Sequence, residues 1–355
     1  MNSKINSRVR LEDLARALKL SIATVSRAMS DSSRVKPETK QRVLSKAKQM
    51  GYRSNQIAKS LSSGKTNVLG VIIPRYDEPF FIEVCRGIDY YARKHDYRIL
   101  INSSRNSFKY EKENVLAFER GTVDGVAMCF THETNSYEHV EELIDRKMPL
   151  VLFDNISHKI DGAGHVKIDD FSSAVKAVEI LIKHKNNSIG YIGGTSKKSV
   201  FNQRFDGFVE AHKKHHQSFK TRHVLNCKSY HQEHEFYEVF NFLSKLQDVP
   251  NAFFCSTDNY AILCIKALTK LGYKVPQDIE VIGFGNLHYS NMLIPELTCV
   301  SQPSFKMGEK VAEMLLNKID NGFFISNTDQ NSEIVLPTKL VFRDTTRRFT
   351  LKRLF

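Results

Sequence analysis

The sequence predicts an α/β protein with a small helical head followed by a core of two lobes, each built on a doubly wound parallel sheet. Three observations predict this architecture. The first 66 residues carry apolar positions at helical spacing, strand candidates first appear at Val68, and from there short apolar strands alternate with amphipathic helices in two successive series. A chain of 355 residues is long enough to form a core in each part.

The head is predicted to contain three helices, of which the first two are joined by a very short turn. Apolar residues recur at helical spacing over Leu11–Leu18, and Ser21 is placed to cap a second helix. Two short helices this close are typical of a helix-turn-helix motif. A third helix is predicted to begin near Pro37 and to end at Gly51, because proline suits a first helical turn and glycine a helix end.

The second helix of the head carries residue types that suit recognition of DNA. Ile22 and Ala23 stand at its N-terminal positions, where side chains reach base edges, and Thr24, Ser26 and Arg27 supply hydroxyl and guanidinium donors. The alternative is an ordinary basic surface helix. The spacing, the cap and the local charge together favour DNA binding.

Two segments outside the lobes are polar and basic. Residues 52–66 are predicted to be a linker that contains one short helical piece at 55–61. The expected organisation is a head at 1–51, this linker, a core at 67–345 and a basic tail at 346–355, which we expect to be disordered or packed on the surface.

The two series in the core predict the order of strands and helices. Strands are predicted at residues 68–73, 98–102, 125–130, 150–153, 188–192, 223–225, 252–255 and 280–284. Helices are predicted at 81–94, 111–120, 137–146, 172–183, 201–215, 233–246 and 261–271. Near the end of the chain, the stretch 304–317 is expected to rejoin the first lobe and 334–341 to join the second.

The positive charge is concentrated in the head. The net charge is +13, and residues 1–66 contain 15 basic and four acidic residues, a net of +11. Residues 343–355 contribute +4, whereas residues 67–342 are nearly neutral at −2. A compact basic module on a neutral body indicates a polyanionic partner, most simply nucleic acid.

Several classes of protein are disfavoured. The apolar runs are too short to cross a membrane, and the N-terminus MNSKINSRVR has no apolar signal core, so we expect a cytoplasmic protein without a membrane partner. Six scattered cysteines without a C-x-x-C pair fit reduced thiols. The histidines at 212, 215, 216, 231 and 234 lie on polar stretches and are expected to be solvated. No metal and no cofactor are expected, and no nucleophile–base constellation is visible, so we do not expect an enzyme.

The two lobes predict a ligand between them, because open α/β sheets bind ligands at the carboxyl ends of their strands. Asp154 follows the strand LVLF, while Thr257 and Asp258 follow AFFCS; the two carboxylates could accept hydrogen bonds from hydroxyl groups. Arg204 could donate a fork of two hydrogen bonds. Three aromatic residues could stack on an apolar ring face: Phe80, Phe81 and Tyr230.

At this point the chain resembles the lactose/galactose repressor (LacI/GalR) family. The run LEDLARALKLSIATVSRAMS is similar to the head signature of that family, with Asp13, Ala15, Ser21 and Thr24-Val25-Ser26-Arg27 matching. Further motifs along the core match as well: VLGVIIP, PFF, VDGV, FDN, RFDGF, TDNYAI and PELTCVSQP. The resemblance covers residues 10–345.

The resemblance implies a ligand-responsive transcription regulator, with a repressor expected. It implies a homodimer on palindromic double-stranded operator DNA and a core similar to periplasmic sugar-binding proteins, with a small polar effector, a sugar or derivative, in the cleft. It also implies a hinge helix that enters the minor groove, with Tyr52, Asn55, Ala58 and Leu61 near DNA and Leu61 as an apolar wedge. Gln302 joins the effector residues by the same resemblance.

The chain departs from the family at three places. The family's turn glycine is Lys19 here, and the Ile-Pro usual before the linker asparagine is Arg53-Ser54. Many sugar-responsive members carry an Asn and an Asp in the C-terminal lobe, where this chain has Thr257 and Gly285-Asn286. The missing aspartate at Gly285 removes one acceptor from the cleft. Two alternatives stay open: a core controlled by a protein partner, and an α/β enzyme or solute-binding core that carries a DNA-binding head.

Overall fold

The structure is a computed structural model that describes residues 9–30, 33–52, 64–156, 159–194, 200–227, 232–321 and 332–347. The chain divides into two compact units, residues 1–66 and residues 67–355. Within the described ranges, no helix is both long and apolar enough to cross a bilayer.

The head is a three-helix unit around a small apolar core. The helices are α1 (Leu11–Leu18), α2 (Ile22–Met29) and α3 (Pro37–Gln49). Leu14, Val25 and Val43, one from each helix, are fully buried against each other. Ser21 caps α2 as predicted, because its hydroxyl oxygen accepts a hydrogen bond from the Thr24 N–H at 3.1 Å.

The turn between α1 and α2 keeps the left-handed backbone that the family's glycine would adopt. Lys19 has φ = 53°, and its backbone N–H donates to the carbonyl of Arg16. A residue with a Cβ adopts this region at a cost in energy, so the turn tolerates a side chain without losing its shape. Pro37 begins α3, and Gly51 follows it with φ = 67°, as the sequence predicts.

The core alternates strands and helices in two series. The strands are β1 (Val68–Ile73), β2 (Arg98–Ser103), β3 (Gly125–Met128), β4 (Leu150–Phe153), β5 (Gly164–Ile168), β6 (Ile189–Gly194), β7 (Val224–Cys227), β8 (Ala252–Cys255), β9 (Glu280–Gly285), β10 (Thr298–Ser301), β11 (Glu333–Leu336) and β12 (Lys339–Val341). The helices are α4 (Pro79–Arg93), α5 (Phe108–Glu119), α6 (Glu138–Asp145), α7 (Asp170–Lys183), α8 (Val200–Lys214), α9 (Gln232–Ser244), α10 (Asp258–Lys270) and α11 (Ser304–Asp320).

The strands form two six-stranded sheets, one in each lobe. The first sheet has the order β11-β5-β4-β3-β1-β2 and is parallel throughout. The second has the order β12-β10-β9-β8-β6-β7, and only β12 runs antiparallel to its neighbour. In each sheet the order reverses beside the first strand, which creates a crevice at the carboxyl ends of the strands.

The chain crosses between the lobes three times. It enters the second lobe after β5, returns to the first through α11, and crosses again between β11 and β12. The predicted return of the segment at 304–317 is confirmed, since α11 packs on α4. Their backbones meet at Gly87 and Gly308, where a Cβ would overlap a carbonyl oxygen of the facing helix.

One predicted crossing is wrong in part. Residues 334–341 were expected to join the second lobe as one piece, but β11 pairs with β5 in the first sheet and only β12 reaches the second. The strand β5 has no counterpart in the sequence prediction, because His165 and Lys167 interrupt its apolar character. Without β5, the sheet edge that β11 extends could not be predicted.

The start of the basic C-terminal segment, up to Arg347, packs against the second lobe. Thr345 and Thr346 are buried. The Arg347 backbone and guanidinium both donate to the carboxylate of Glu280, which is fully buried at the start of β9. Arg343 donates to the carbonyl of Leu297 at 2.6 Å. Residues 348–355 lie outside the described part of the chain.

A second correction concerns His212, which was expected on a solvated face. It is 2% exposed, and its ring packs against Phe208 and Phe219, with a ring–ring distance of 4.4 Å to Phe208. Burial lowers the pKa of His212. The polar neighbours that follow it, His215 and His216, misled the prediction, because they lie exposed beyond the end of α8 whereas His212 is on the buried side of its last turn.

Candidate functional site

The head presents one face of α2 to solvent. Its capping residue and four helical positions are exposed, and Val25 and Ala28 are buried beneath them. The exposed positions are Ser21, Ile22, Ala23, Ser26 and Arg27.

This exposure is unusual for Ile22, an apolar side chain that is 49% accessible at the N-terminus of α2. The Arg27 guanidinium donates through Nε to the Ala23 carbonyl at 3.1 Å, which holds the side chain along the helix. Small, apolar and basic groups thus lie together on one exposed face of α2, the arrangement that major-groove reading requires. The hinge residues Asn55, Ala58 and Leu61 lie outside the described part of the chain.

A cavity of about 50 Å³ lies between the two lobes at the carboxyl ends of both sheets. The described residues predicted to bind an effector all line it: Phe80, Phe81, Asp154, Arg204, Thr257, Asp258 and Gln302. The remaining predicted residue, Tyr230, lies outside the described residues. Residues that are far apart in the sequence therefore meet at one place, since each follows the end of a strand or begins a helix beside it.

Asp154 follows β4 and enters the cavity from the first lobe. Its backbone has φ = 60°, a strained value for a residue with a side chain, which directs the carboxyl away from the strand. The side chain is 9% exposed, and its Oδ1 atom is buried without a hydrogen-bond partner in the described part of the chain. Burial, and after it the nearby carboxylate of Asp170, raises the pKa of Asp154 to about 7.

Arg204 enters the same cavity from α8 in the second lobe and is already bound on one side. Its Nε donates to Asp170 at 2.7 Å and its Nη1 donates to the carbonyl of Ser256 at 2.6 Å. The guanidinium carbon lies 3.8 Å from the ring centre of Phe284. These contacts fix the orientation of a side chain that is only 4% exposed. Sequence reasoning predicted Arg204 and missed Asp170, its buried partner.

Two other predicted residues have structural tasks in addition to lining the cavity. The Thr257 hydroxyl oxygen caps α10 by accepting from the N–H of Tyr260. The Asp258 carboxylate accepts from the Leu287 N–H at 2.9 Å and from the Ser290 hydroxyl at 2.7 Å, which fixes the loop after β9. Both residues are therefore held rigidly at the second-lobe wall of the cavity.

Gln302 and Gly285 complete this wall. Gln302 is 8% exposed, and its side-chain nitrogen is buried without a hydrogen-bond partner in the described ranges. Gly285 lines the cavity where the family has an acidic side chain, so this wall offers one carboxylate fewer. An unpartnered buried amide indicates a group that a ligand would satisfy.

Sequence reasoning missed several residues of the cavity, among them Glu78, His132 and Phe201. Glu78 precedes α4, and burial raises the pKa of its carboxyl. His132 in the first lobe faces Phe201 in the second, with 4.9 Å between ring centres. Burial, together with Arg204, lowers the pKa of His132 to about 4. Glu78 could have been predicted from its position shortly after β1. The His132–Phe201 contact could not, because it joins two lobes and no pattern within either segment indicates it.

Comparison with known proteins decides the family. Residues 10–55 match the model of bacterial regulatory proteins of the lacI family, and residues 178–346 match the periplasmic binding protein-like domain. The chain is 33% identical to catabolite control protein A of Priestia megaterium over 343 residues, which cover 96% of this chain and 99% of the relative. The chain belongs to the LacI family.

Solved structures of the LacI family share the fold. The lac repressor dimer bound to operator and an anti-inducer has a TM-score of 0.82 at 19% identity, covering 96% of this chain and 99% of that one. A complex of the transcriptional regulator CelR with cellobiose has a TM-score of 0.70 at 22% identity, covering 95% and 100%. The regulator CcpA of Lactococcus lactis has a TM-score of 0.69 at 25% identity, covering 79% and 99%.

These comparisons confirm two predictions. The fold class is confirmed, since this LacI-family chain has the helix-turn-helix head and a periplasmic-binding-protein-like core. The function class is confirmed as well: the chain is a DNA-binding transcription regulator. Its relatives are transcription regulators rather than enzymes.

Proposed function

We propose that the protein is a cytoplasmic repressor that binds a palindromic operator as a homodimer. Its affinity for the operator falls or rises when a small polar effector, a sugar or derivative, enters the interlobe cleft. The observation that carries this proposal is the cavity at the carboxyl ends of both sheets, with Asp154 on one wall and Arg204 on the other. The protein acts by binding and requires no catalytic step.

DNA binding is assigned to residues 1–66. The exposed face of α2 supports this assignment, as do the net charge of +11 over these residues and the solved operator complex of the lac repressor. We propose that Ile22 and Ala23 contact base edges, that Arg27 contributes a contact to a base or phosphate, and that Ser21, Thr24, Ser26 and Tyr52 hold the backbone of the DNA.

Two measurements test this assignment. A chain that begins at Asn67 should lose affinity for duplex DNA while its core keeps its melting behaviour, and binding by this truncated chain at physiological salt would contradict the assignment. Selection from random duplexes by the intact protein should recover a palindrome with a central C–G step. A single unrepeated half-site would contradict the symmetric dimer.

Exposed apolar side chains on the core support self-association. In the first lobe Leu100 on β2, an edge strand, and Leu116 on α5 are each more than 40% exposed. In the second lobe Met292 is 72% exposed and Ile294 is 99% exposed. Exposed apolar side chains become buried when they lie in an interface between two chains, so these four are candidates for the dimer interface. Sedimentation of Ile294→Asp against the unaltered chain tests this surface, and an unchanged dimer would contradict its role.

The effector is proposed to bridge the lobes. Asp154 would accept hydrogen bonds from its hydroxyl groups, Arg204 would bind from the opposite wall, and Phe80 or Phe81 would cover its apolar side. Gln302 offers an unpartnered amide, with Thr257 and Asp258 beside it, and Tyr230 is kept as a further stacking candidate. One molecule held by both lobes favours one lobe orientation, and this orientation changes the pairing of the hinges and hence DNA affinity.

Calorimetry with an identified effector tests this arrangement. Asp154→Ala and Arg204→Ala should each weaken binding about tenfold to a hundredfold, because a buried charged group loses its partner. Since Arg204 also neutralises Asp170, Gln302→Ala provides a variant that leaves this ion pair intact. Unaltered affinity in all three variants would place the effector elsewhere.

A second candidate is control of the core by a protein partner. The volume of about 50 Å³ favours it, because ligand pockets in proteins usually measure hundreds of cubic ångströms. Under this proposal the lobes stay closed on their own side chains and a partner binds outside the cleft. Thermal-shift screening with sugars and related small molecules separates the two candidates, since only the first predicts stabilisation that depends on Asp154.

A further inference from the structure

The described walls of the interlobe cavity carry more negative than positive groups. Three carboxyl groups line it, those of Glu78, Asp154 and Asp258. Among the described lining residues, one side chain is permanently cationic, that of Arg204. Burial raises the pKa of each of the three carboxyl groups, because their charged forms lose solvation by water there.

The positive charge of Arg204 is already compensated. Its guanidinium forms a buried ion pair with Asp170 at 2.7 Å, and both side chains are at most 4% exposed. A second donor is committed to the Ser256 carbonyl. The pair as a unit is close to neutral, so it offsets the remaining carboxyl groups only in part. Arg204 still favours the charged forms of Asp154 and Glu78, and Arg75 favours that of Glu78. An anionic ligand would therefore meet more repulsion than attraction in this cavity.

Among the lining side chains, Asp154, Asp258 and Gln302 each have a buried polar atom without a hydrogen-bond partner in the described part of the chain. Asp154 and Gln302 are each more than nine-tenths buried, and Asp154 Oδ1 and Gln302 Nε2 have no hydrogen-bond partner in the described part of the chain. They enter from opposite lobes, Asp154 after β4 and Gln302 after β10. A ligand between them would satisfy an acceptor on one wall and an amide on the other.

Aromatic rings surround the carboxyl groups. Phe80, Phe81, Phe201 and Phe284 line the same cavity. The face of Phe284 already holds the Arg204 guanidinium at 3.8 Å, so the site stabilises a cation on a ring. Carboxylates combined with aromatic faces form a surface that suits organic cations.

We propose that the cleft takes a ligand that carries a protonated amine beside its hydroxyl groups, an amino sugar by chemical class, and discriminates against phosphorylated sugars. The proposal rests on the effector site assigned above and names the chemistry of its ligand. It requires the lobes to open further than in this structure, because the cavity of about 50 Å³ is smaller than ligand pockets usually are. Asp154 and Glu78 accept hydrogen bonds from the ammonium group, and the Gln302 amide binds a hydroxyl group. Phe80 and Phe81 cover the apolar face of the sugar ring.

Binding of an amine should release protons near neutral pH. The pKa of Asp154 is raised to about 7 in the unoccupied site, so a part of the molecules carry a proton there. A cation beside the carboxyl group lowers this pKa and expels the proton. The enthalpy of binding measured in buffers of different ionisation enthalpy reports this release directly, whereas a neutral sugar gives no comparable release.

Calorimetry with the full-length protein at pH 7 tests the proposal on three matched sets of ligands. The sets are D-glucosamine, D-galactosamine and D-mannosamine, then D-glucose, D-galactose and D-mannose, then the 6-phosphates of the neutral sugars. At least one amino sugar should bind about tenfold or more tightly than its neutral parent, with proton release, and the phosphates should bind more weakly still.

Variants assign the effect to the cleft. Asp154→Asn should weaken the amino sugar about tenfold to a hundredfold and abolish proton release, and Glu78→Gln should weaken it without abolishing the release. Asp145→Asn removes an exposed carboxyl group at the end of α6 and serves as the control, which should bind as the unaltered protein does.

The outcomes separate this inference from the function on which it rests. If neutral sugars bind as tightly as amino sugars, and Arg204→Ala or Asp154→Ala weakens them, the effector site stands and the amine inference fails. Preferred binding of a 6-phosphate also overturns the inference. If none of the nine ligands binds, the inference is overturned for amino sugars, and truncation at residue 66 still tests DNA binding independently.

Discussion

Lys19 holds a side chain in a left-handed turn, with φ = 53°, between the two helices of the DNA-reading motif. This backbone costs a residue with a Cβ on the order of 1 kcal/mol, whereas glycine adopts it freely. Lys19→Gly should therefore stabilise the head by about 0.5 kcal/mol, after subtraction of the greater freedom of glycine in the unfolded chain. Slower hydrogen exchange of the α1 and α2 amides in the intact protein would measure this gain.

The control for this substitution is Lys19→Ala, which removes the same charge and keeps the Cβ. It should give no gain. Equal protection in the alanine and glycine variants would assign the effect to charge and contradict the argument from backbone strain.

Asp154 makes stability depend on pH. Its pKa is raised by burial from 3.8 to about 7, so between these values the folded chain holds a proton that the unfolded chain has released. Stability attributable to this group therefore falls as pH rises from 4 to 7. Asp154→Asn should melt higher than the unaltered protein at pH 8, by up to about 4 kcal/mol in free energy of unfolding, and should match it at pH 4.

Thermal unfolding at several pH values in the absence of ligand measures this difference, and the exposed Asp145→Asn serves as its control. A difference that does not change with pH would show that charge burial is not its cause. A variant that is more stable but binds its ligand less tightly is the pattern expected where a binding site retains a buried charge that destabilises the fold.

The sequence predicted individual site residues better than their partners. Asp154 could be predicted because it directly follows a buried apolar strand, and Arg204 because its motif resembled the family. Asp170 and Phe201 could not, since their roles depend on Arg204 and His132, which other parts of the chain supply. Local pattern gives the place of a side chain at a strand end but carries no signal for a contact made across a cleft.

At the scale of elements, α4 and α11 pack more closely than side chains allow. Gly308 and Gly87 face each other's helix, and a Cβ on Gly308 would overlap the Val84 carbonyl oxygen. Gly308→Ala should destabilise the core by about 2 kcal/mol or more, because the helices must separate. The sign of the change in free energy of unfolding decides the question, because helix propensity alone would make alanine stabilising by about 1 kcal/mol.

Chemical denaturation of the full chain measures the effect of Gly308→Ala. Asn317→Ala, at an exposed position of the same helix, should be neutral or slightly stabilising. If Gly308→Ala proved as stable as the unaltered protein, the close approach of the two helices would contribute nothing to the fold.

Strands buried on both faces were the elements that the sequence predicted best. The bounds of β1, β4 and β8 agree with the prediction at both ends, because each is a continuous apolar run. The missed β5 alternates with polar residues, and β11 exposes Val335 to solvent. The pairing of β11 with β5 joins residues more than 150 positions apart, as in the pair Ile168 and Leu336, and such pairing has no local signature.

At the scale of the whole molecule, charge and ligand chemistry are divided between the two compact units. The unit at 1–66 carries +11, and the remaining 289 residues carry only +2. Basic residues that replace counterions on DNA phosphates make affinity fall as salt rises, whether or not the sequence is the operator. The net charge of +4 at the end of the chain is partly neutralised within the second lobe, where Arg347 forms an ion pair with Glu280.

We therefore expect the affinities for an operator and for a scrambled duplex to fall in parallel, each by about tenfold or more between 50 and 200 mM salt, so that their ratio changes little. Fluorescence anisotropy titrations at three salt concentrations measure the slope of log affinity against log salt concentration for both duplexes.

Two variants test which residues contribute to these slopes. Removal of residues 348–355 should leave both slopes unchanged. Arg27→Gln should make the slope for the operator shallower by about one unit, or should weaken binding to the operator selectively. Phosphate contacts confer affinity for any duplex, whereas base contacts confer the difference in affinity between the operator and the scrambled duplex. If only the affinity for the operator depended on salt, this assignment of phosphate and base contacts within the head would be contradicted.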